Sequence, residues 1–87
     1  MNSYKIEWKH SAVKELKHLP KQVIVRVLEA VERLASDPFP SGVRKLACAE
    51  HSYRIRVGDY RIVYNLISKT LILEVIRVGH RKNVYDR

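Results

Sequence analysis

Arg54, Arg56 and Arg61 are the residues whose types and spacing could do chemistry. A guanidinium is always charged, and its planar fork of donors fits phosphate oxygens two at a time. In Tyr53-Arg54-Ile55-Arg56-Val57 the arginines alternate with apolar residues, the period of a half-buried strand. Gly58-Asp59 breaks the pattern, and glycine at the first central position suits a two-residue type II′ hairpin turn. That turn sets Val57 opposite Tyr60, Arg56 opposite Arg61, Ile55 opposite Ile62, Arg54 opposite Val63 and Tyr53 opposite Tyr64. Opposed residues share a face. One face then carries Tyr53, Ile55, Val57, Tyr60, Ile62 and Tyr64, and the other gathers the three arginines. Like charges opposed across strands repel, so the arrangement points to a polyanion that sits there. The plainer alternative is a solvated outer face of a basic protein.

Other chemistries find little support. His10, His18, His51 and His80 have no metal-ligand spacing, and Cys48, the only cysteine, has no partner set. There is no glycine-rich phosphate loop and no G-x-S-x-G elbow, and the acidic residues are too scattered for a two-carboxylate hydrolase. No metal or other cofactor is expected.

The elements that must position the arginines follow from periodicity. Tyr4, Ile6 and Trp8 alternate with Lys5, Glu7 and Lys9 as a strand with one apolar side. Ser11 is a plausible N-cap for a short helix ending near His18, with Ala12, Val13, Leu16 and Leu19 on its apolar stripe. Pro20 suits the start of a second helix, roughly Lys21 to Ser36, with Ile24, Val27, Leu28, Val31, Leu34 and Ala35 at helical spacing and Glu29–Arg33 as an outer i, i+4 pair. Asp37-Pro38-Phe39-Pro40-Ser41-Gly42 is a loop, and Arg44-Lys45-Leu46 either begins a strand or leads into one. After the hairpin, Ser68-Lys69-Thr70 turns into a third strand, Leu71 to Val78, apolar on both faces except for Glu74 and Arg77, and ended by Gly79. His80 to Arg87 is a polar tail. The order strand-helix-helix-strand-strand-strand predicts an α+β fold, a two-helix hairpin packed on one face of a largely antiparallel sheet, with the arginine face left open.

The 87 residues fit a single domain, 1–87, and 46% hydrophobic content supports a modest core. Lys plus Arg is 17 against 9 for Asp plus Glu, a formal charge of +8 that favours a nucleic acid, an acidic protein, or both. No stretch is long enough to span a bilayer, the N-terminus lacks a signal-peptide layout, and a lone thiol fits a reducing cytoplasm. A cytoplasmic protein with no membrane partner is expected.

With Tyr53-Arg-Ile-Arg-Val57, Tyr60-Arg-Ile-Val-Tyr64, Val78-Gly-His-Arg81 and Val84-Tyr85 in view, together with Leu16-Lys-His-Leu19 and the loop before Lys45-Leu46, the chain resembles the RelE/ParE superfamily of toxins from type II toxin–antitoxin pairs. The resemblance covers nearly the whole chain and implies a RelE-like domain. RelE-type members are metal-independent endoribonucleases (mRNA interferases) that cut mRNA in the ribosomal A site. The 2′-hydroxyl attacks the adjacent phosphate, and a cognate antitoxin neutralises the toxin. By this resemblance Arg61 would hold the phosphate, Arg81 would protonate or stabilise the leaving oxygen, Arg56 would belong to the catalytic set, and Tyr85 would stack on or orient a nucleotide. Arg54, His80 and Lys82 would bind substrate. The implied partners are ribosome, mRNA and a RelB-like antitoxin, acidic or extended. In the well-studied ribonuclease positions 54 and 56 often hold lysines, one of them proposed as base. Arginine is a poor base, which leaves His80, Lys82 and Tyr85 as proton acceptors, or catalysis by charge stabilisation and positioning alone. Two alternatives share the fold or the charge: a ParE-like DNA gyrase inhibitor without nuclease activity, and a non-catalytic RNA-binding module.

Overall fold

The computed structural model describes residues 3–46 and 51–80. Its elements are β1 (Lys5–Trp8), α1 (His10–Lys17), α2 (Lys21–Ser36), β2 (Arg44–Lys45), β3 (Ser52–Val57), β4 (Tyr60–Ile67) and β5 (Ile72–His80). The strands form one sheet in the order β1-β5-β4-β3-β2. β1 lies parallel to β5, and the other three pairings are antiparallel. Two helices on a largely antiparallel sheet make the α+β architecture that the order of periodicities predicts. The stretch Arg44–Lys45 does pair as a strand, opposite Arg54 and Tyr53, so the sheet has five strands rather than four.

The hairpin folds in the register its sequence dictates, from Tyr53↔Tyr64 to Val57↔Tyr60. Gly58 has φ +62° and Asp59 a negative φ, the sign pattern of a type II′ turn. Ile62 and Tyr64 are fully buried and Ile55 nearly so, in a core shared with Val27, Ala30, Val31 and Leu34 of α2. Those four α2 residues stand at i, i+3, i+4 and i+7, one helical stripe. Leu28 lies off it and is 41% exposed, while Ala30, smaller but in line, is the buried one.

α1 begins one residue before the expected cap. Lys9 donates its N–H to Val75 O (2.9 Å), continuing the β1–β5 ladder, and its own carbonyl accepts from Ala12 N and Val13 N (2.9 and 3.1 Å). The sheet thus holds Lys9 extended as the last residue before the helix, and Ser11 falls inside the first turn with no capping role. α2 spans Lys21–Ser36 as its periodicity predicts, with Pro20 as N-cap residue, φ −59°.

β5 departs from expectation in three ways. It starts at Ile72, because Leu71 sits in the preceding turn at φ +55°. It runs on through Gly79, which pairs with Arg61 and has no positive φ to break the strand. Its register against β4 shifts between Val63↔Arg77 and Tyr64↔Val75, leaving Ile76 as the extra residue of a bulge. The bulge explains why Leu73, Val75 and Val78 are all buried although the last two are three residues apart.

β1 ends at Trp8↔Val75, so past that point the outer edge of β5 faces α1 instead. There the Glu15 carboxylate accepts the Val78 N–H (2.9 Å) and a hydrogen bond from Arg77 Nη2 (3.3 Å). On the far side of the sheet, Tyr64 donates its hydroxyl to Pro38 O (2.6 Å), Tyr53 stacks on Tyr64, and Phe39 meets Tyr53 edge-on. These aromatics fasten the Asp37–Gly42 loop to the sheet. Burial, with Tyr53 and Asp37 adding to it, pushes the Tyr64 phenol well above its ordinary pKa. Among the described residues no helix is long and apolar enough to cross a membrane.

Candidate nucleic-acid interface

The β3–β4 ladder sets Arg56 opposite Arg61, and Arg54 opposite Val63 one pair further along the same pleat. β4 is flanked on its other side by β5, where Arg61 faces Gly79. All three arginines therefore alternate with residues of the core: Ile55 lies between Arg54 and Arg56, and Ile62 follows Arg61. Arg54 and Arg61 are half-buried and Arg56 is exposed. Nη1 of Arg61 is shielded from solvent. Arg56 Nε donates to Gly58 O (3.1 Å), which draws its side chain back over the turn.

The face these arginines share is not simply open. β2 supplies only two paired residues, so beyond Arg54 the edge of β3 has no strand neighbour among the described residues. Strand twist turns that edge, and a cleft of about 890 Å³ opens along it. Its walls are α2 (Arg26, Glu29, Arg33), the loop from Pro40 to Gly42 with Arg44, and the hairpin (Arg54, Arg56, Gly58, Arg61). The arginines stand on the pleat that alternates with the core, and α2 forms one side of the cleft they line. Among the described residues six arginines line the cleft, and Glu29 is the one carboxylate there. A concave surface of fixed guanidinium groups focuses positive potential and suits phosphate oxygens of a polyanion.

Arg26, Arg33 and Arg44 were not among the residues that the sequence singled out. Arg33 reads from spacing as the partner of Glu29, yet no ion pair joins them among the described residues. A signal existed in the seven-residue interval from Arg26 to Arg33, two helical turns, which places both beside the buried stripe of Ala30 and Leu34.

His80 is positioned differently. It pairs with Tyr60, and the two rings meet edge-on with centroids 5.5 Å apart. Alternation puts it on the pleat of Tyr60 and Ile62, across from the pleat of Arg61. The ladder brings Arg54, Arg56 and Arg61 together and leaves His80 on the other side. Arg81, Lys82 and Tyr85 lie outside the described residues. Among the described residues no three His, Cys, Asp or Glu side chains gather as a metal-ligand set.

Comparison with known proteins places this geometry among relatives. Residues 6–85 match the family described as the ParE toxin of the type II toxin–antitoxin system, parDE. Toxin RelE3 of Methanocaldococcus jannaschii is 33% identical over 86 residues, 94% of this chain and 96% of its own length. The archaeal RelE–RelB complex from Pyrococcus horikoshii OT3 contains a chain with TM-score 0.81 and 30% identity, covering 94% of this chain and 99% of that one. The isolated E. coli RelE toxin superposes with TM-score 0.79 at 25% identity, over 90% of this chain and 84% of that one.

Proposed function

The chain belongs to the RelE/ParE superfamily of toxins from type II toxin–antitoxin systems, and from that premise we propose that it is a ribosome-dependent mRNA endoribonuclease acting in the cytoplasm. The substrate is mRNA held in the ribosomal A site. The 2′-hydroxyl oxygen, losing its proton, attacks the adjacent phosphorus. The bond from phosphorus to the 5′-oxygen breaks, that oxygen takes up a proton, and the products are a 2′,3′-cyclic phosphate and a 5′-hydroxyl end. No metal is required for these steps.

Arg61 holds the non-bridging oxygens as charge builds on them, with Arg56 beside it and Arg54 binding the strand. Arg81 protonates or stabilises the leaving oxygen, Tyr85 stacks on or orients a nucleotide, and Lys82 contributes charge. A fixed guanidinium aimed at a developing oxyanion is worth about 10²–10³ in rate. With arginine at both position 54 and position 56, and with His80 across the sheet from Arg61, the proton acceptor is sought at Lys82 or Tyr85, or supplied by the ribosome's positioning of the 2′-hydroxyl. The observation that carries this reading is the direct opposition of Arg56 and Arg61 in a cleft lined, among the described residues, by six arginines. Opposed like charges repel, and a bound polyanion offsets that repulsion.

A RelB-like antitoxin is the proposed cellular partner, by analogy with the relative solved as a RelE–RelB complex. Its acidic or extended segments would cover the cleft. Because the matching family is described by ParE, gyrase inhibition is the competing reading. Purified protein added to ribosomes programmed with a defined mRNA should cut within the A-site codon. Inhibition of gyrase supercoiling with no cut would replace the ribonuclease reading.

A further inference from the structure

We propose that Arg26 and Arg56 form a second anion site at the Gly58–Asp59 turn, which takes a backbone phosphate of the RNA neighbouring the one held at Arg61. The proposal rests on the ribonuclease reading and extends it to a residue of α2. Two guanidinium groups converge on one glycine. Arg56 Nε donates to Gly58 O (3.1 Å), fixing the near end of its fork. The Arg26 guanidinium also lies close to Gly58: a Cβ placed there would meet Nη2, Nη1 and Cζ of Arg26 at 3.5, 3.7 and 3.9 Å. Glycine, at φ +62°, serves the turn, and a side chain there would be in ordinary contact with this cation.

Glu29 stands one helical turn from Arg26, and Asp59 is in the turn itself. Among the described residues neither forms an ion pair with Arg26, and Arg26 makes no hydrogen bond there. Two guanidinium groups gathered at one turn repel each other and leave their forks for an external anion. A phosphodiester supplies two non-bridging oxygens, one for each fork. Arg26, Gly58, Arg56, Arg54 and Arg61 all line the same cleft. A strand whose reacting phosphate sits at Arg61 therefore has its neighbouring phosphate within reach of the turn. Arg26 captures and registers the strand, and Arg56, which faces Arg61 across the ladder, joins this site to the phosphate where the bond breaks.

The test compares the parent protein with Arg26→Ala and Arg26→Lys in two assays. In the first, each binds a short fluorescein-labelled single-stranded RNA across a salt series. Arg26→Ala should bind about tenfold more weakly, and its plot of log affinity against log salt should flatten by about 0.7, one phosphate contact on a single strand. Arg26→Lys keeps the charge and should retain the parent slope with intermediate affinity. In the second, cleavage on programmed ribosomes should show a raised KM for Arg26→Ala with kcat near the parent value, and melting temperature should match. An Arg26→Ala protein that binds RNA with parent affinity and slope overturns the site. So does one whose RNA binding is intact while only its affinity for an acidic antitoxin falls. A parent protein that cuts nothing defeats the ribonuclease reading alone, and the RNA-binding arm still decides the site.

Discussion

Arg56 and Arg61 stand directly opposite each other across the β3–β4 ladder, and Arg61 faces the side-chain-less Gly79 on its other flank. Opposed like charges destabilise a strand pair. Stability alone therefore does not account for arginine at position 56. Arg56→Thr, which keeps strand propensity and removes one charge, should leave the free protein as stable or slightly more so at low salt. Any gain should shrink as salt screens the repulsion. The same variant should lose mRNA cleavage. Melting curves at two salt concentrations, read beside cleavage, check the pair of outcomes, and a variant both less stable and fully active would contradict them.

Tyr64 fastens the Asp37–Gly42 loop through its bond to Pro38 O. Tyr64→Phe should cost about 1 kcal/mol at neutral pH, the usual net worth of one hydrogen bond. The pH dependence has a definite sign. The folded phenol is held above its ordinary pKa, chiefly by burial, while the unfolded phenol ionises near 10. Above that pH the unfolded chain binds fewer protons than the folded one, so stability falls as pH rises. The Tyr64 contribution is complete below about pH 10 and fades above it. Denaturant midpoints should show the gap between parent and Tyr64→Phe narrowing as pH rises past that point, and a gap that widens would refute the assignment.

Glu15 accepts the Val78 N–H where β1 has ended. Glu15→Ala removes the acceptor and should cost about 1–3 kcal/mol, the range for a polar group left unsatisfied. Glu15→Gln retains a neutral oxygen for that amide and loses only the partly exposed contact with Arg77, worth up to about 1 kcal/mol. Hydrogen exchange at Val78 should accelerate in the alanine variant and much less in the glutamine one. Equal acceleration in both would make the charge, rather than the hydrogen bond, the important feature.

Local patterns proved legible and long-range placement did not. The hairpin register follows from alternation and a two-residue turn, so the Arg54, Arg56 and Arg61 grouping could be read directly. The limits of α2 follow from Pro20 and its apolar period. The β5 bulge at Ile76 leaves no trace in a strand apolar on both faces. Ser11 looked like a cap because the hydrogen bond from Lys9 to Val75 joins residues far apart in the chain. The same limitation hid the α2 side of the cleft. Arg26 and Arg33 lie on a helix whose pattern says which stripe is buried, but not that its flank stands beside the edge of β3. His80, which reads from the sequence as the start of a polar tail, instead closes β5 opposite Tyr60.

The central claim is that the guanidinium at position 61 stabilises phosphate during RNA cleavage. The most direct measurement is single-turnover cutting of a defined mRNA on programmed ribosomes by the parent protein and by Arg61→Ala, with the new ends identified chemically and melting temperature as control. The account predicts A-site fragments ending in a 2′,3′-cyclic phosphate from the parent, and a rate lower by about 10²–10³ in a folded Arg61→Ala protein. Cutting by Arg61→Ala at the parent rate, or a parent that leaves the mRNA intact while blocking gyrase, would contradict it.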